Sequence, residues 1–330
     1  MPAGGAAPQG IELVLQPHDH LQPVPVRFLV FQDPFVKLSM YKALAWLLAR
    51  LGNRGLAGLG LVLGWFVWHV VGSRRRLATQ AVAERLECEP DQAERIAKAS
   101  FINSFKSFLD IVRLRYVDDA FIDARVTIAD PGLYDRFDNH KGPIIAATGH
   151  YGSWEMMCGV VGHKLRSDKL VIMRRNKDKA LNELMIHLRT LPKVRVVEHR
   201  RASKVVVDRL RQGDGIAAFL VDHNCMEKEA LFLPFLGKIA AVNRGPAMLA
   251  VKTKALVVPL VMAREKGGRY TLYIGEFLDT QELAGSVKQR IEAVARFYTQ
   301  AMESFVRKRP EQWFWMHRRW KTRPPGEPGE

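Results

Sequence analysis

The sequence predicts an α/β fold with a mixed, largely parallel sheet flanked by helices. Short apolar runs alternate with amphipathic helical patterns from residue 143 onwards. The first of these runs, PIIAATG at 143–149, is apolar throughout and closed by glycine, which is typical of a strand buried on both faces. A length of 330 residues allows one large α/β domain plus an appendage.

The predicted elements follow the alternating order that a doubly wound sheet requires. Strands are predicted at 143–149, 169–174, 194–198, 215–222 and 256–263. Helices are predicted near 153–164, 178–190, 201–212 and 244–254. A hairpin-like strand near 269–275 and a long helix over 286–307 complete a domain that we place at 77–327.

An amphipathic helix is predicted from Pro90 to Arg113, before the first strand. Its apolar residues recur at helical spacing, which indicates a core-facing stripe rather than a ligand-binding groove. These residues are Ala93, Ala97, Phe101, Phe105, Phe108 and Val112.

The segment 38–76 is predicted to anchor the chain to a membrane. Residues 55–73 carry no Asp, Glu, Lys or Arg over 19 residues, which at 1.5 Å per residue is about 28 Å of helix, just enough to span a bilayer. The basic cluster 74–76 follows directly, so the positive-inside rule predicts a cytoplasmic domain. A buried core helix and a helix that only dips into the bilayer are alternatives, and 38–49 could lie alongside as an interfacial helix.

The first 37 residues are predicted to be a flexible leader. Prolines interrupt it, among them Pro8, Pro17, Pro23 and Pro25, although the apolar run 26–31 could form a short strand.

Composition favours an anionic partner. Lys and Arg outnumber Asp and Glu by 50 to 34, a net charge of +16, which suits nucleic acid and anionic membrane equally. Three cysteines, Cys88, Cys158 and Cys225, show no C-x-x-C spacing. Their odd number argues against a disulfide framework and favours a reducing compartment.

The chemical motif is GHYGSWE at 149–155. His150 follows the predicted strand, at the sheet edge where ligands of α/β proteins bind. On one continuous helix His150 and Glu155 would lie about 140° apart, so the motif needs a bend at Gly152, with Ser153 as the N-cap. Glu155 could then brace the imidazole as a general base. The alternative is a strand-end histidine beside a glutamate that merely complements the helix dipole.

Two other chemistries around this motif are less consistent with the spacing. A metal site made of His150, Glu155 and His163 is disfavoured, because His163 lies about 12 Å of helical rise beyond Glu155. Cys158 could be an acyl-enzyme nucleophile, but it falls one turn inside the predicted helix, where a packing role is expected.

Further candidates lie at other ends of strands. Arg174 and Arg175 close the strand at 169–174, and arginine forks suit phosphate. Gly245 begins a helix whose amides could face an anion, or simply forms a tight entry to that helix. The C-terminal rings Trp313, Phe314, Trp315 and Trp320, interleaved with Lys and Arg, suit a membrane boundary or single-stranded nucleic acid.

The H-x4-E motif resembles the H-x4-D/E signature of glycerolipid acyltransferases. The chain as a whole resembles the lipid A lauroyl/myristoyl acyltransferase branch, through blocks at 173–185, 221–238, 244–250 and 310–327. The resemblance covers roughly residues 40 to 327. The residues after Asp222, at 223–226, vary among relatives and so leave the acyl chain and the acceptor open.

This resemblance implies a glycerol-3-phosphate acyltransferase-like fold and a membrane-bound enzyme at the cell inner membrane. We expect transfer of an acyl chain from acyl carrier protein or acyl-CoA to a lipid A precursor, without cofactor, metal or nucleic acid. His150 and Glu155 would be catalytic, and the amides of Gly152 and Ser153 would stabilise the oxyanion. Substrate would be bound by Arg174, Arg175, Asp222 and Gly245, and Asp222 would hold a basic or hydroxyl partner near the site.

Two alternatives remain beside that expectation. The acceptor could be a phosphatidylinositol mannoside, an ornithine lipid or a glycerophosphate. Alternatively, the protein could be a basic membrane-attached binding protein in which the H-x4-E pair is incidental.

Overall fold

The structure is a computed structural model and describes residues 33–165 and 167–327. The predicted leader therefore lies almost entirely outside the described residues. The short strand predicted at 26–31 lies wholly outside them.

Helices form the N-terminal part of the described chain. The first begins at Pro34, where the Asp33 side chain accepts the amide of Phe35 at 2.8 Å and so caps it. The helices are α1 (Pro34–Arg50), α2 (Gly52–Val70), α3 (Gly72–Leu86) and α4 (Pro90–Asp110), the last continued by a 3₁₀ helix (Ile111–Tyr116).

One face of α2 packs closely on α4. A Cβ on Gly60 would lie 2.8 Å from the Lys106 Cα, and one on Gly64 would lie 2.6 Å from the Ile102 Cα. These two glycines therefore let the backbones approach. Trp68 completes the contact, with its ring edge-on to Phe101 at 5.1 Å.

The opposite faces of α1 and α2 expose large apolar side chains. The continuous helix predicted at 55–73 is wrong at its end: α2 stops at Val70, and the chain bends by 95° between α2 and α3. Within residues 33–165 and 167–327, no single helix is long and apolar enough to cross a bilayer, although α2 and α3 taken together would be by length and composition. The exposed side chains are Phe35, Met40, Leu44, Trp46, Leu47, Leu51, Leu61, Val62, Trp65, Phe66 and Val70.

The α/β part follows. Its strands are β1 (Val126–Ile128), β2 (Ile144–Thr148), β3 (Asp168–Met173), β4 (Arg195–Glu198), β5 (Gly215–Leu220), β6 (Ala230–Phe235), β7 (Lys238–Asn243), β8 (Leu256–Arg264), β9 (Tyr270–Ile274) and β10 (Leu278–Asp279). Its helices are α5 (Asp119–Arg125), α6 (Pro131–Asp138), α7 (Trp154–Lys164), α8 (Lys179–Thr190), α9 (Ala202–Leu210), α10 (Gly245–Thr253) and α11 (Val287–Lys308).

The main sheet has the order β1-β9-β8-β2-β5-β3-β4, with β10 beside β8. β8 is antiparallel to β9 and to β10, and the other neighbours are parallel. The mixed, largely parallel sheet predicted from the sequence is therefore confirmed, as is the hairpin-like strand near 269–275.

Strand β2 lies at the centre and is buried on both faces. Ile145 and Ala147 belong to a core shared with α10, α11 and the C-terminal segment. Ile144 and Ala146 belong to a second core shared with α7. The uninterrupted apolar sequence of β2 follows from this position, since neither face meets water.

The sequence analysis missed several elements. The hairpin β6–β7 stands apart from the main sheet, and its turn places Leu236 and Gly237 at positive φ. The 15-residue helix α3 and the short elements β1, β10, α5 and α6 were not predicted either. Short segments carry too few residues for a clear period, which is why they escape pattern analysis.

Candidate active site

His150 and Asp222 meet because their strands are in register. Parallel neighbours β2 and β5 pair Thr148 with Leu220, and the amide of Val221 donates to the carbonyl of Thr148 at 2.8 Å. Both residues therefore lie two positions beyond a paired position. Asp222 Oδ2 accepts the amide of His150 at 2.7 Å, and Oδ1 lies 3.0 Å from Nδ1 of the ring.

Asp222 is an ionised carboxylate in a dry setting. Its exposure is 3%, and Oδ2 also accepts the indole N–H of Trp313 at 2.8 Å. Burial by itself raises the pKa of this carboxyl, but His150 and these hydrogen bonds outweigh burial and hold the pKa well below its usual value. Asp222 therefore carries a negative charge at neutral pH.

That charge determines the state of the imidazole. Burial lowers the pKa of His150, but the adjacent Asp222 more than compensates, so the pKa is raised above 6.5. Because a carboxylate only accepts hydrogen bonds, the proton lies on Nδ1, and Nε2 has a free lone pair in the neutral ring. This is the tautomer that a general base requires.

Aromatic walls surround the ring without sealing it. Its centroid lies 5.4 Å from that of Trp154 and 5.9 Å from that of Phe314. The His150 side chain is 28% exposed. A substrate hydroxyl could thus reach the ring beside an apolar surface.

The predicted contact between Glu155 and the imidazole is wrong. Glu155 lies in the first turn of α7, as predicted, but both carboxylate oxygens accept hydrogen bonds from Arg189 of α8, one of them from Nε at 2.9 Å. Both side chains are nearly buried, at 5% and 12% exposure. The paired guanidinium competes successfully because it satisfies both oxygens of a desolvated carboxylate.

The predicted oxyanion donors are also unsuitable. Gly152 adopts the expected positive φ of +54°, and its amide donates to the carbonyl of Gln312 at 2.8 Å. The amide of Ser153 donates to the carbonyl of Met262, also at 2.8 Å. Both groups hold the turn against β8 and the C-terminal segment, so neither is available to an oxyanion.

Ser153 occupies the N-cap position of α7, but its side chain does not cap the helix. Its hydroxyl donates to Asp110, which also pairs with Arg264. Arg264 in turn donates to Ser153 Oγ at 3.1 Å. Burial raises the pKa of Asp110 despite these partners. Ser153, Asp110 and Arg264 are far apart in the chain, and their mutual hydrogen bonds fix the position of the turn at Gly152 and Ser153.

The predicted substrate-binding arginines lie at the expected edge. Arg174 and Arg175 follow β3, which is parallel to β5, so the same edge carries His150. Both arginines are exposed, and Arg175 approaches Glu198 at 4.0 Å. Their position suits a solvent-side contact with an anionic ligand.

No contact among the described residues joins Gly245 to His150 or Asp222. It begins α10, and its amide donates to Asn243 Oδ1 at 2.7 Å. The tight entry to a helix, one of the two roles expected for it, accounts for its position.

Neither the metal site with His163 nor the nucleophilic role of Cys158, the two other chemistries considered from the sequence, gains support. His163 lies near Asp119, at 3.5 Å, and the described residues contain no cluster of three or more His, Cys, Asp or Glu that could hold a metal. Burial raises the pKa of Cys158 to about 12, which disfavours the thiolate that nucleophilic catalysis needs.

The three C-terminal tryptophans are part of the core, which corrects the interfacial role predicted for them, whereas Phe314 is partly buried and lies beside His150. Trp313 and Trp315 are each 1% exposed and Trp320 is 5% exposed. Arg319 is buried as well and donates to the carbonyl of Ala241. Burial lowers its pKa to about 10.

The sequence placed Asp222 at the site, where it was expected to hold a basic or hydroxyl partner, and the structure shows that this partner is His150. Sequence reasoning assigned no role to Arg189, Asp110 or Arg264. These three carry no local signal, since each is a charged residue on an ordinary helix or strand.

Comparisons with known proteins agree with the resemblance. A model of the family described as "Bacterial lipid A biosynthesis acyltransferase" matches residues 31–322, which include His150, Glu155 and Asp222. A Haemophilus influenzae protein named "Lipid A biosynthesis acyltransferase" is 26% identical over 277 residues, or 82% of this chain and 85% of that protein.

Two Escherichia coli proteins match over shorter regions. The "Lipid A biosynthesis lauroyltransferase" is 30% identical over 131 residues, 39% of this chain and 41% of that protein. The "Lipid A biosynthesis palmitoleoyltransferase" is 28% identical over 151 residues, 44% of this chain and 47% of that protein. The alignments with these two relatives thus span less than half of their length.

Proposed function

The chain belongs to the bacterial lipid A biosynthesis acyltransferase family, and from this premise we propose that it transfers a fatty acyl chain from an acyl thioester to a hydroxyl of a lipid A precursor. The observation that carries this proposal is the hydrogen-bonded pair His150–Asp222 at the ligand-binding edge of the sheet. The pair lies within the region that the family matches.

In the proposed reaction His150 is the general base. The acceptor oxygen bonds to the thioester carbonyl carbon while Nε2 takes the hydroxyl proton, and the carbon–sulfur bond then breaks. The proton passes from Nε2 to the departing thiolate. Asp222 holds His150 by two hydrogen bonds, one from its backbone amide and one from Nδ1 of the ring, and stabilises the imidazolium. No covalent intermediate on the protein is needed.

In this proposal Glu155 does not contact the imidazole of His150. Its charge favours the protonated imidazole, whereas Arg189 disfavours it, so the two effects oppose each other. The pair also fixes the first turn of α7 against α8. We assign Glu155 a positioning role, through Arg189 and the helix that follows His150.

We propose acyl carrier protein as the donor. The net charge of +16 and the exposed Arg174 and Arg175 at the site edge would attract an acidic carrier with a phosphate-bearing arm. Acyl-CoA carries phosphates as well, so the two donors must be compared directly.

We also propose that the protein lies on the cytoplasmic side of the inner membrane. Eleven large apolar side chains are exposed on α1, α2 and the residue between them, and clusters of exposed apolar side chains mark sites of membrane or protein contact. Arg50 stacks over Trp46 at 3.5 Å, an arrangement that suits the headgroup layer. In this arrangement α1 and α2 lie on the bilayer, with their apolar faces toward the acyl chains.

One reaction tests the proposed activity. The purified protein is incubated with acyl carrier protein thioesters or acyl-CoA and a tetra-acylated lipid A precursor, and products are weighed by mass spectrometry. We expect a product heavier by one acyl chain and none from the His150→Gln variant. Near-full activity of that variant, or acylation only of other acceptor lipids, would contradict the proposal.

Membrane contact needs a separate measurement. Replacement of Trp65 and Phe66 by serine should reduce co-flotation with anionic vesicles. The control is Met226→Ser with Met248→Ser, which removes two side chains exposed elsewhere, at 56% and 46%. Equal flotation of the two double variants would contradict a role for α2.

A further inference from the structure

A cavity of about 640 Å³ lies next to the turn at Gly152 and Ser153, which we call the catalytic turn, since Arg264 and Gln312 line the cavity and bond to that turn. α4, the β8–β9 connection and the C-terminal segment line it. We call it the basic pocket, defined by Lys106, Arg264, Lys266, Arg269, Arg309 and Gln312, with Glu265 as its one carboxylate.

The cations of the basic pocket outnumber the groups that neutralise them. Arg264 pairs with Asp110, and Arg309 pairs with Glu265 at 2.6 Å and with Glu311 at 3.4 Å. In the described part of the chain, the side chains of Lys106, Lys266 and Arg269 make no hydrogen bond and no ion pair. Three unpaired cations that line one cavity repel one another, and a bound anion would offset this repulsion.

Two of the pocket's cations, Lys106 and Arg264, are also shielded from solvent. Lys106 is half-buried, and burial together with the nearby Arg264 lowers its pKa. Arg264 is 10% exposed, and its Nε is buried without a hydrogen-bond partner among the described residues. Ordinary solvated surface cations are not desolvated in this way.

The donors suit a phosphate monoester better than a carboxylate. Such a group carries a charge near −2 at neutral pH and three acceptor oxygens. The pocket offers two lysine ammonium groups and three guanidinium groups, so several charge-assisted hydrogen bonds can form at once.

The rim of the pocket is shared with α2. Gly60 of α2 packs on Lys106, and Gly268, in the turn that bears Lys266, lies next to Asn53 at the start of the same helix. Farther along, α2 exposes Leu61 and Trp65. An anionic headgroup in the pocket would thus lie beside a helix that offers its lipid tails an apolar surface.

The pocket is also coupled to the catalytic turn. Arg264 donates to Ser153 Oγ at 3.1 Å, and the Gln312 carbonyl accepts the amide of Gly152 at 2.8 Å. A ligand in the pocket would therefore be held close to the turn that carries His150.

We propose that the basic pocket binds the phosphate monoester headgroup of a membrane lipid. The membrane part of this inference rests on the proposed function. Binding alone tests it, so its failure and a failure of acyl transfer can be told apart.

The test compares full-length protein and two variants on phosphatidylcholine vesicles. One vesicle set contains phosphatidic acid, a phosphate monoester, and the other contains phosphatidylglycerol at the same surface charge. The pocket variant is Lys106→Gln/Lys266→Gln/Arg269→Gln. The control, Lys204→Gln/Arg211→Gln/Lys252→Gln, removes three exposed cations elsewhere.

We expect the wild type and the control variant to prefer phosphatidic acid by about tenfold, and the pocket variant to lose that preference. No preference in the wild type, or an unchanged preference in the pocket variant, would overturn the proposal. Inorganic phosphate is the third arm. If it raises the melting temperature of the wild type but not of the pocket variant, while both bind the two vesicle sets equally, the ligand is soluble and the lipid assignment is wrong.

Discussion

Trp313 donates its indole N–H to Asp222 Oδ2 at 2.8 Å, across 91 residues of sequence. The same oxygen, Oδ2, also accepts the backbone amide of His150. These two bonds fix the carboxylate so that its other oxygen, Oδ1, faces Nδ1 of the imidazole. The C-terminal segment, predicted to face lipid, thus supports the candidate base from within the core.

Replacing Asp222 by Asn should reduce kcat by about a hundredfold or more, because the imidazolium formed during transfer loses its counter-charge. Only neutral imidazole accepts a proton, so kcat/KM falls as pH drops below the pKa of His150. Asp222 raises that pKa, and its loss should move the acid limb of the kcat/KM profile to lower pH. An acid limb at the wild-type pH would show that Asp222 does not act on the base.

Replacing Trp313 by Phe should weaken catalysis less than Asp222→Asn, by roughly tenfold, since it removes one hydrogen bond to a charged carboxylate, which contributes about 1.5 kcal/mol. The lost indole also leaves a small cavity, so the melting temperature should be measured alongside kcat. Trp315→Phe is the control, because the Trp315 indole donates to the carbonyl of Pro310 instead. Equal losses of kcat in the two variants would contradict the positioning role of Trp313.

Breaking the pair of Glu155 and Arg189 should destabilise the fold. Glu155→Gln leaves an unpaired buried guanidinium, which costs about 3–5 kcal/mol of unfolding free energy. The double variant Glu155→Gln/Arg189→Met should recover most of that loss, as measured by denaturant unfolding.

The double variant also tests the chemistry. Because the two charges act on the pKa of His150 in opposite directions, the acid limb of its kcat/KM profile should remain near the wild-type position. A limb shifted as far as that of Asp222→Asn would restore a direct role for Glu155 on the ring.

Two glycines of α2 make a matched pair. A Cβ on Gly64 would lie 2.6 Å from the Ile102 Cα, whereas one on Gly58 meets nothing within 4 Å. Gly58→Ala should therefore raise the melting temperature, since alanine favours a helix over glycine by about 1 kcal/mol. Gly64→Ala should lower it by forcing α2 away from α4. A stabilising Gly64→Ala would contradict the packing described for these helices.

The stability of the fold should depend on pH through His317. Its Nε2 accepts the amide of Asn224 at 3.0 Å, and burial lowers its pKa to about 3. The unfolded chain takes up this proton near its ordinary value of 6.5, so between about 6.5 and 3 the unfolded state binds more protons. Stability conferred by the neutral ring is therefore complete above 6.5 and is lost as pH falls through that window.

For His317→Gln, which can still accept from Asn224, the slope of unfolding free energy against pH should be smaller by about 1.4 kcal/mol per unit between pH 4 and 6. Denaturant unfolding at several pH values measures it. Identical slopes for the variant and the wild type would show that His317 titrates normally in the folded protein.

The sequence by itself determined the elements around the site. Apolar runs without alternation predicted β2 and β5, because both faces of these strands are covered. The position of His150 beyond β2 and the bend at Gly152 followed from local chemistry, and the structure has both, with Gly152 at φ +54°. Such features depend on neighbours along the chain and can be read from them.

Only the tertiary structure decided which acid contacts the imidazole. Glu155 is five residues away and Asp222 is 72 residues away, yet Asp222 makes the contact. The reason is that parallel strands can be ordered in many ways without altering their local sequence, and here β5 is placed in register beside β2. The partner of Glu155, the burial of Trp313 and the convergence of cations in the basic pocket depend on packing between distant segments in the same way.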